Sequence, residues 1–300
     1  MKPNYLSGML FAVALLSSWQ ASADPVTDAL NSDPSADSEF PATVVELTIP
    51  SSGEKMPGHI YLAAGQGPHP TVVFLHGIPG NERNLDLAQS LRRFGFNTLF
   101  FHYRGAWGAT GAYRINHLPE DALAVLAFLQ ENSEQLRVDG NSLSFLGHSL
   151  GGFTALAAGA KTKDVACVVA LAPANVGVWK QQVTAGGPQI DRLGAYADTL
   201  FMLNGLSGDR LKEELAYTPM SQLDTAGFGP GLVGKDVLLI VGEQDTATPP
   251  AIMFDPVVSA YREQDSLRLT AYKIDGDHSF SGGRVALSLL LMEWMDQRCR

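Results

Sequence analysis

The sequence predicts a doubly wound α/β domain on a mostly parallel sheet of about eight strands, and three observations carry that expectation. First, several short runs are apolar almost throughout, among them TVVFLHG (71–77), SLSFLGH (142–148), ACVVALAPA (166–174) and DVLLIVGEQD (236–245). A strand covered on both faces requires that pattern, whereas a half-exposed strand alternates. Second, segments with apolar residues three and four apart lie between these runs, so strand and helix take turns along the chain. Third, 45% of the residues are apolar and 17% charged, which is enough to bury a sizeable core.

The opening MKPNYLSGMLFAVALLSSWQASADPV has one lysine, an apolar run from Leu6 to Leu16 and small residues at Ala21 and Ala23. That layout predicts a secretory signal peptide over 1–23, cut between Ala23 and Asp24. The apolar run is well short of the roughly 20 residues that span a bilayer, so no stable membrane anchor is expected after cleavage. The next stretch, residues 24–42, has acids at Asp24, Asp28, Asp33, Asp37 and Glu39 and no base, and reads as a flexible acidic leader.

From residue 43 to 300 the texture is that of one domain. TVVELTIP (43–50) and HIYLAA (59–64) open the sheet with an antiparallel edge. LDLAQSLRRFG (85–95) reads as a helix stopped at Gly95, and LPEDALAVLAFLQENSE (118–134) as a longer one. LGGFTALAAGAK (150–161) is small-residue rich and suited to packing on a sheet. PPAIMFDPVVSAYREQ (249–264) and RVALSLLLMEWMDQR (284–298) complete the alternation around the last strand, LRLTAYKID (267–275). Residues from about 176 to 235 break it; a crossover helix needs far fewer, and the excess predicts a small helical cap insertion over a pocket. Cys167 sits inside an apolar run and Cys299 next to the chain end, and both read as free thiols.

A formal charge of −10 argues against a nucleic acid or an anionic membrane surface as partner. Neither LLIVGEQD nor LGHSLGG is a nucleotide loop, since both lack G-x-G-x-x-G and a phosphate-binding lysine. No spacing points to a metal or an organic cofactor. Oligomeric state is not legible.

The chemistry concentrates at FLGHSLGGF (145–153). Ser149 follows a strand and precedes a helix, with Gly147 and Gly151 free of side chains that would obstruct a sharp turn. The helix after it directs N–H groups and a positive dipole end at the site, where an oxyanion would be stabilised. A serine needs a base. Of the seven histidines, His59, His69, His76, His102 and His117 precede Ser149; His148 adjoins it and should point away, as a structural residue. His278, in DGDHSFSGG after the last strand, is the candidate base. Asp245, just past a strand, is the candidate acid; Glu243 lies two residues earlier, and alternation puts both on the same side. Leu150 supplies one oxyanion N–H and Ile78, in FLHGIPGN, the other, because Pro79 has none to offer.

HGIPGN, YRGAWG, GHSLGG, GEQD and GDHSF occur in an order that resembles the α/β-hydrolase-fold serine hydrolases, most of all the secreted esterase and prolyl-oligopeptidase-related branches. The resemblance spans roughly residues 43–298. It implies Ser149 as nucleophile, His278 as base, Asp245 as acid, and Ile78 and Leu150 as oxyanion donors. Many relatives have D-x-R-G where this chain has His102-Tyr103-Arg104-Gly105, and it has no room for the propeller domain of prolyl oligopeptidases. The expected activity is hydrolysis of a small ester, or of a short acyl or peptidyl substrate, through an acyl-enzyme. The runner-up is an exopeptidase or amidase with the same machinery; an aminopeptidase would need an anion in the cap to hold the substrate α-amine, with Asp191, Asp198, Asp209, Glu213 and Glu214 as candidates. A non-catalytic binding module of the same fold is the alternative from another class.

Overall fold

The computed structural model describes residues 24–300, so the expected signal segment 1–23 lies outside the described residues. Eight strands form one sheet: β1 (Thr43–Ser51), β2 (Glu54–Leu62), β3 (His69–Leu75), β4 (Asn97–Phe101), β5 (Val138–His148), β6 (Val165–Leu171), β7 (Asp236–Gly242) and β8 (Arg268–Ile274). Their spatial order is β1-β2-β4-β3-β5-β6-β7-β8. β1 pairs with β2, and β2 with β4, antiparallel. All remaining pairs are parallel.

Helices α1 (Pro25–Asn31), α2 (Leu85–Arg93), α3 (Leu118–Glu131) and α4 (Leu150–Gly159) accompany the first half of the sheet. The excursion after β6 holds α5 (Val176–Ala185), α6 (Pro188–Asp198), α7 (Gly208–Tyr217), α8 (Met220–Leu223) and α9 (Gly229–Leu232). After β7 come α10 (Pro250–Met253) and α11 (Asp255–Arg262), and α12 (Arg284–Arg298) closes the chain. Successive side chains of a strand point to opposite faces. Val72, Phe74, Leu146, Val169 and Leu238 therefore pack with α1, α2 and α12, while Val73, Phe145, Val168 and Leu239 pack with α3, α4 and α11. Coverage of both faces is what made these strands apolar throughout.

The chain runs from β3 to β4 on one side and then returns to β5 on the other, so the strand order reverses at β3 and β5. In open α/β sheets a ligand crevice forms outside the carboxyl ends of the strands at such a reversal. Leu75 lies level with Gly147, His148 with Leu171, and Gly242 with Ile274, so these ends and the loops after them share one edge.

Two expectations are corrected. The acidic leader is not uniformly free of structure: α1 starts on a proline suited to a first helical turn, and Val26 and Ala29, three residues apart, are buried against α2 and α12. Arg93 Nε donates to the Ala29 carbonyl at 2.6 Å. The five acids obscured a single apolar stripe too short to register as a helix. The cysteines are also not free: Cys167 and Cys299 form a disulfide, with Cα atoms 5.8 Å apart, across a separation of 132 residues. It fastens the end of α12 to β6, a proximity that only the folded sheet creates.

Candidate active site

Ser149 is the single residue between β5 and α4, at φ 59° and ψ −121°. A non-glycine residue in that region stores roughly 1–3 kcal/mol of strain, so its surroundings must over-determine it. They do so through the backbone. The Ser149 N–H donates to the Leu171 carbonyl at 2.9 Å, and its own carbonyl accepts from Gly152 at 2.9 Å and Ala174 at 3.0 Å. A Cβ on Gly147 would collide with the Gly151 carbonyl, and one on Gly151 with the Leu75 carbonyl. Close approach of three backbone segments, rather than flexibility, is why those two positions are glycine. Ser149 is 9% exposed and lines a cavity of about 170 Å³ with Gly77, Ile78, Pro79, Glu82, His148 and His278.

Asp245 and His278 arrive from the loops after β7 and β8. His278 Nδ1 donates to Asp245 Oδ2 at 2.7 Å. The other carboxylate oxygen accepts the Ala247 and Thr248 N–H groups at 2.8 Å each, and the Thr248 hydroxyl donates to Oδ2 at 2.6 Å. Burial pushes the Asp245 carboxyl up, but the bonds from His278 and Thr248 outweigh it and leave it below the ordinary carboxylate range. An ionised Asp245 only accepts, so His278 Nδ1 carries the proton of this bond and Nε2 is the ring nitrogen left for the cavity. Glu243, the rival acid, is exposed. Ser149 Oγ and His278 make no direct hydrogen bond in this structure; they meet in the shared cavity, a separation common before substrate binds.

His148 reaches the His278 loop. Its Nε2 donates to the His278 backbone carbonyl at 2.8 Å, and the two rings lie 4.8 Å apart between centroids. Burial first, and then the neighbouring His278, press its pKa down to about 4, so it stays a neutral donor near neutrality. The loop is also held by Asp277, whose Oδ1 accepts from Ser279 and Ser281 at 3.1 and 2.9 Å. Arg284 donates to the Ser279 carbonyl at 3.1 Å, to Asn84 Oδ1 at 3.1 Å and to Asp86 at 2.6 Å, joining this loop to the start of α2.

The opposite wall is the segment from Gly77 to Asn84. Among the described residues no protein acceptor takes the Ile78 or the Leu150 N–H, which leaves both available. Trp107 Nε1 donates to the Pro79 carbonyl at 2.7 Å and His76 Nδ1 to the Gly77 carbonyl at 2.7 Å, fixing the path of the loop.

Residues 72–282 match the sequence profile of the Alpha/beta hydrolase family. The chain belongs to that family. Solved structures of similar fold include the 2,6-dihydroxy-pseudo-oxynicotine hydrolase, at 19% identity and a TM-score of 0.66, covering 87% of this chain and 69% of that one. Est1E from Butyrivibrio proteoclasticus gives 17% and 0.61, covering 84% and 98%. The Pyrococcus furiosus esterase Pf2001 gives 16% and 0.61, covering 89% and 100%. At these identities the likeness is one of fold. No curated protein matches the sequence.

In this α/β hydrolase the acids of the excursion after β6 do not reach the cavity at Ser149. Asp191 pairs with Lys212 at 2.8 Å, Asp198 accepts from the Gly208 N–H at 2.8 Å, and Glu214 from Asn116 at 2.7 Å. Asp209 and Glu213 are exposed on α7. No residue of the excursion between β6 and β7 lines that cavity. Its carboxylate is Glu82, which the sequence did not single out. Thr248 and Arg284 were missed as well; they act through a hydroxyl and a long side chain whose targets are distant in sequence. Where relatives carry D-x-R-G, Arg104 keeps a buried pair with Asp121 at 2.5 Å, locking the start of α3, while His102 stacks on Trp107 with ring centroids 5.9 Å apart. Among the described residues no helix is long and apolar enough to cross a membrane, and no group of three side chains is arranged to hold a metal ion.

Proposed function

We propose that this α/β hydrolase is a serine hydrolase that cleaves carboxylic esters through an acyl-enzyme. The observation that carries the reading is the 2.7 Å Asp245–His278 pair in one cavity with a serine at a strained strand-to-helix turn. Ser149 Oγ attacks the ester carbonyl as its proton passes to His278 Nε2, and Asp245 stabilises the imidazolium that forms. The oxyanion is received by the Ile78 and Leu150 N–H groups and by the dipole of α4. His278 then returns the proton to the leaving alcohol. Water, activated by the same nitrogen, releases the acid and restores Ser149.

A small leaving group suits a cavity of about 170 Å³. The chain is further read as working outside the cytoplasm after loss of residues 1–23, a reading supported by the signal-like opening and by the Cys167–Cys299 disulfide. An aminopeptidase is the second reading, favoured by Glu82 alone, since that carboxylate could hold a substrate amine. The test is turnover of matched ester and aminoacyl-amide chromogenic substrates of graded size by the protein and its Ser149→Ala variant. Ester turnover lost in the variant is the expected result. Amide turnover that depends on Ser149 and on Glu82 would favour the aminopeptidase, and no Ser149-dependent turnover of either would favour a binding role.

A further inference from the structure

On the far side of the Gly77–Asn84 loop from Ser149 lies a larger cavity, of about 750 Å³, lined in part by Glu46, His59, Tyr61, Arg83, Phe100 and His102. Its cation has no partner. Among the described residues Arg83 forms neither an ion pair nor a hydrogen bond; its guanidinium lies over the rings of Phe100 and Trp107, 5.7 and 5.5 Å from their centroids. The nearest acids do not answer it. Glu46 is exposed and lies across the strand pair from His59, and Glu82 Oε1 accepts the Asn84 N–H instead. Two imidazole nitrogens of residues that line the cavity, His59 Nε2 and His102 Nδ1, are buried without a partner. His76 Nε2, behind His102 with ring centroids 5.3 Å apart, is a third.

A buried polar atom left unpaired costs roughly 1–3 kcal/mol, and three in one place need an explanation. A metal ion does not suit them, because Arg83 already brings positive charge that disfavours a second cation and depresses the basicity of all three rings. Burial is the larger cause, and it holds His76 down to about 4 and His102 down to about 3. The rings are thus neutral and add no charge of their own; His59 and His102 can each donate one hydrogen bond, whereas His76, whose Nδ1 already donates to the Gly77 carbonyl, keeps a lone pair on Nε2. What the Arg83 guanidinium lacks is a paired negative charge with several lone pairs, and the rings of Phe100 and Tyr61 line the same cavity. His59 and Tyr61 meet edge to face at 4.7 Å, and Phe100 lies 5.7 Å from His59.

We propose that this cavity binds an aromatic carboxylate, its carboxylate paired with Arg83 and hydrogen-bonded by His59 and His102, its ring against Phe100 and Tyr61. Guanidinium and carboxylate match in shape and charge, and a guanidinium stacked on aromatic rings is already oriented for the pairing. The exposed Glu46 makes no pair with Arg83, so the guanidinium beside neutral donors favours a single added carboxylate. The occupant lies against the loop that carries Ile78, but the site does not depend on the hydrolase reading.

The test is a calorimetric titration of benzoate, benzyl alcohol and inorganic phosphate into the Ser149→Ala chain, so that turnover plays no part. The same titrations are made with Arg83→Met, Arg83→Lys and His102→Asp added. Benzoate should bind at least about tenfold more tightly than benzyl alcohol or phosphate. Arg83→Met should lose at least about tenfold in benzoate affinity, and Arg83→Lys should lose less. His102→Asp should also lose affinity, because it supplies Arg83 with an internal counter-charge. Arg83 is partly exposed, so its variants are expected to melt as the parent does. Equal binding of benzoate and benzyl alcohol, or benzoate affinity unchanged by Arg83→Met, overturns the proposal. Phosphate binding as tightly as benzoate overturns the aromatic specificity.

Discussion

The loop that carries His278 and the loop that carries Ile78 face each other across Ser149, and they are held in opposite ways. Around His278 the polar groups are paired: Asp245 has His278, Thr248 and two N–H groups, His148 holds the His278 carbonyl, and Arg284 bridges to Asn84 and Asp86. Behind Ile78 the polar groups are stranded, with unpartnered nitrogens on His59, His76 and His102 and an unpaired Arg83. A satisfied network in a low-dielectric interior fixes geometry, which a proton relay requires. The unsatisfied imidazoles survive by staying neutral, and the unpaired Arg83 beside them leaves room for a counter-charge. The contrast separates a wall built for positioning from a wall open to a ligand.

The largest effect that would break this picture lies within the paired network. Asp245→Asn should lower kcat about 10³- to 10⁴-fold, because an amide no longer selects the His278 tautomer; near-normal turnover would remove Asp245 from its role. Next is the covalent tie at the end of α12, the helix that follows the His278 loop. Cys299→Ser should cost about 2–4 kcal/mol in denaturant unfolding with ester turnover at 25 °C retained, and unchanged stability would make the disulfide incidental. His148→Ala should then reduce kcat about 10- to 100-fold with little change in KM, by loosening the His278 backbone. His148→Gln, which keeps an N–H donor, should recover part of the loss; full activity in both would leave His148 a packing residue.

The smallest effect sharpens the other side. His76, His102 and His148 are depressed in the folded chain to about 4, 3 and 4, whereas unfolded histidines titrate near 6.5. Below about pH 6.5 the unfolded chain therefore binds more protons than the folded one, so stability is full above that pH and falls as pH drops toward about 4. Each ring held neutral contributes roughly 1.4 kcal/mol per pH unit over that window. His102→Phe should make the stability-versus-pH slope shallower by about one ring's share. An unchanged slope would mean that His102 is not held neutral.

What the sequence made legible follows from what is local. Apolar runs reported the two-sided burial of β3 and β5 to β7, and the strand–Gly-x-Ser-x-Gly–helix context located the Ser149 turn. Asp245 and His278 could be proposed because strand ends share an edge in a parallel sheet. Contacts created by the fold at long range were not legible. Cys167 and Cys299 meet only when α12 docks, and Val26 and Ala29 find burial only once α2 and α12 are in place. The partner of His148 was not legible for a related reason: adjacency to Ser149 says nothing of the carbonyl 130 residues on that its ring reaches.

The proposed chemistry rests on Ser149 as a nucleophile activated by His278. Its most direct test is labelling with a fluorophosphonate, followed by intact mass and peptide mapping. One adduct per chain, on Ser149, abolished in Ser149→Ala and strongly slowed in His278→Ala, is the expected result. No adduct, an adduct on another residue, or labelling that proceeds as fast without His278 would contradict it.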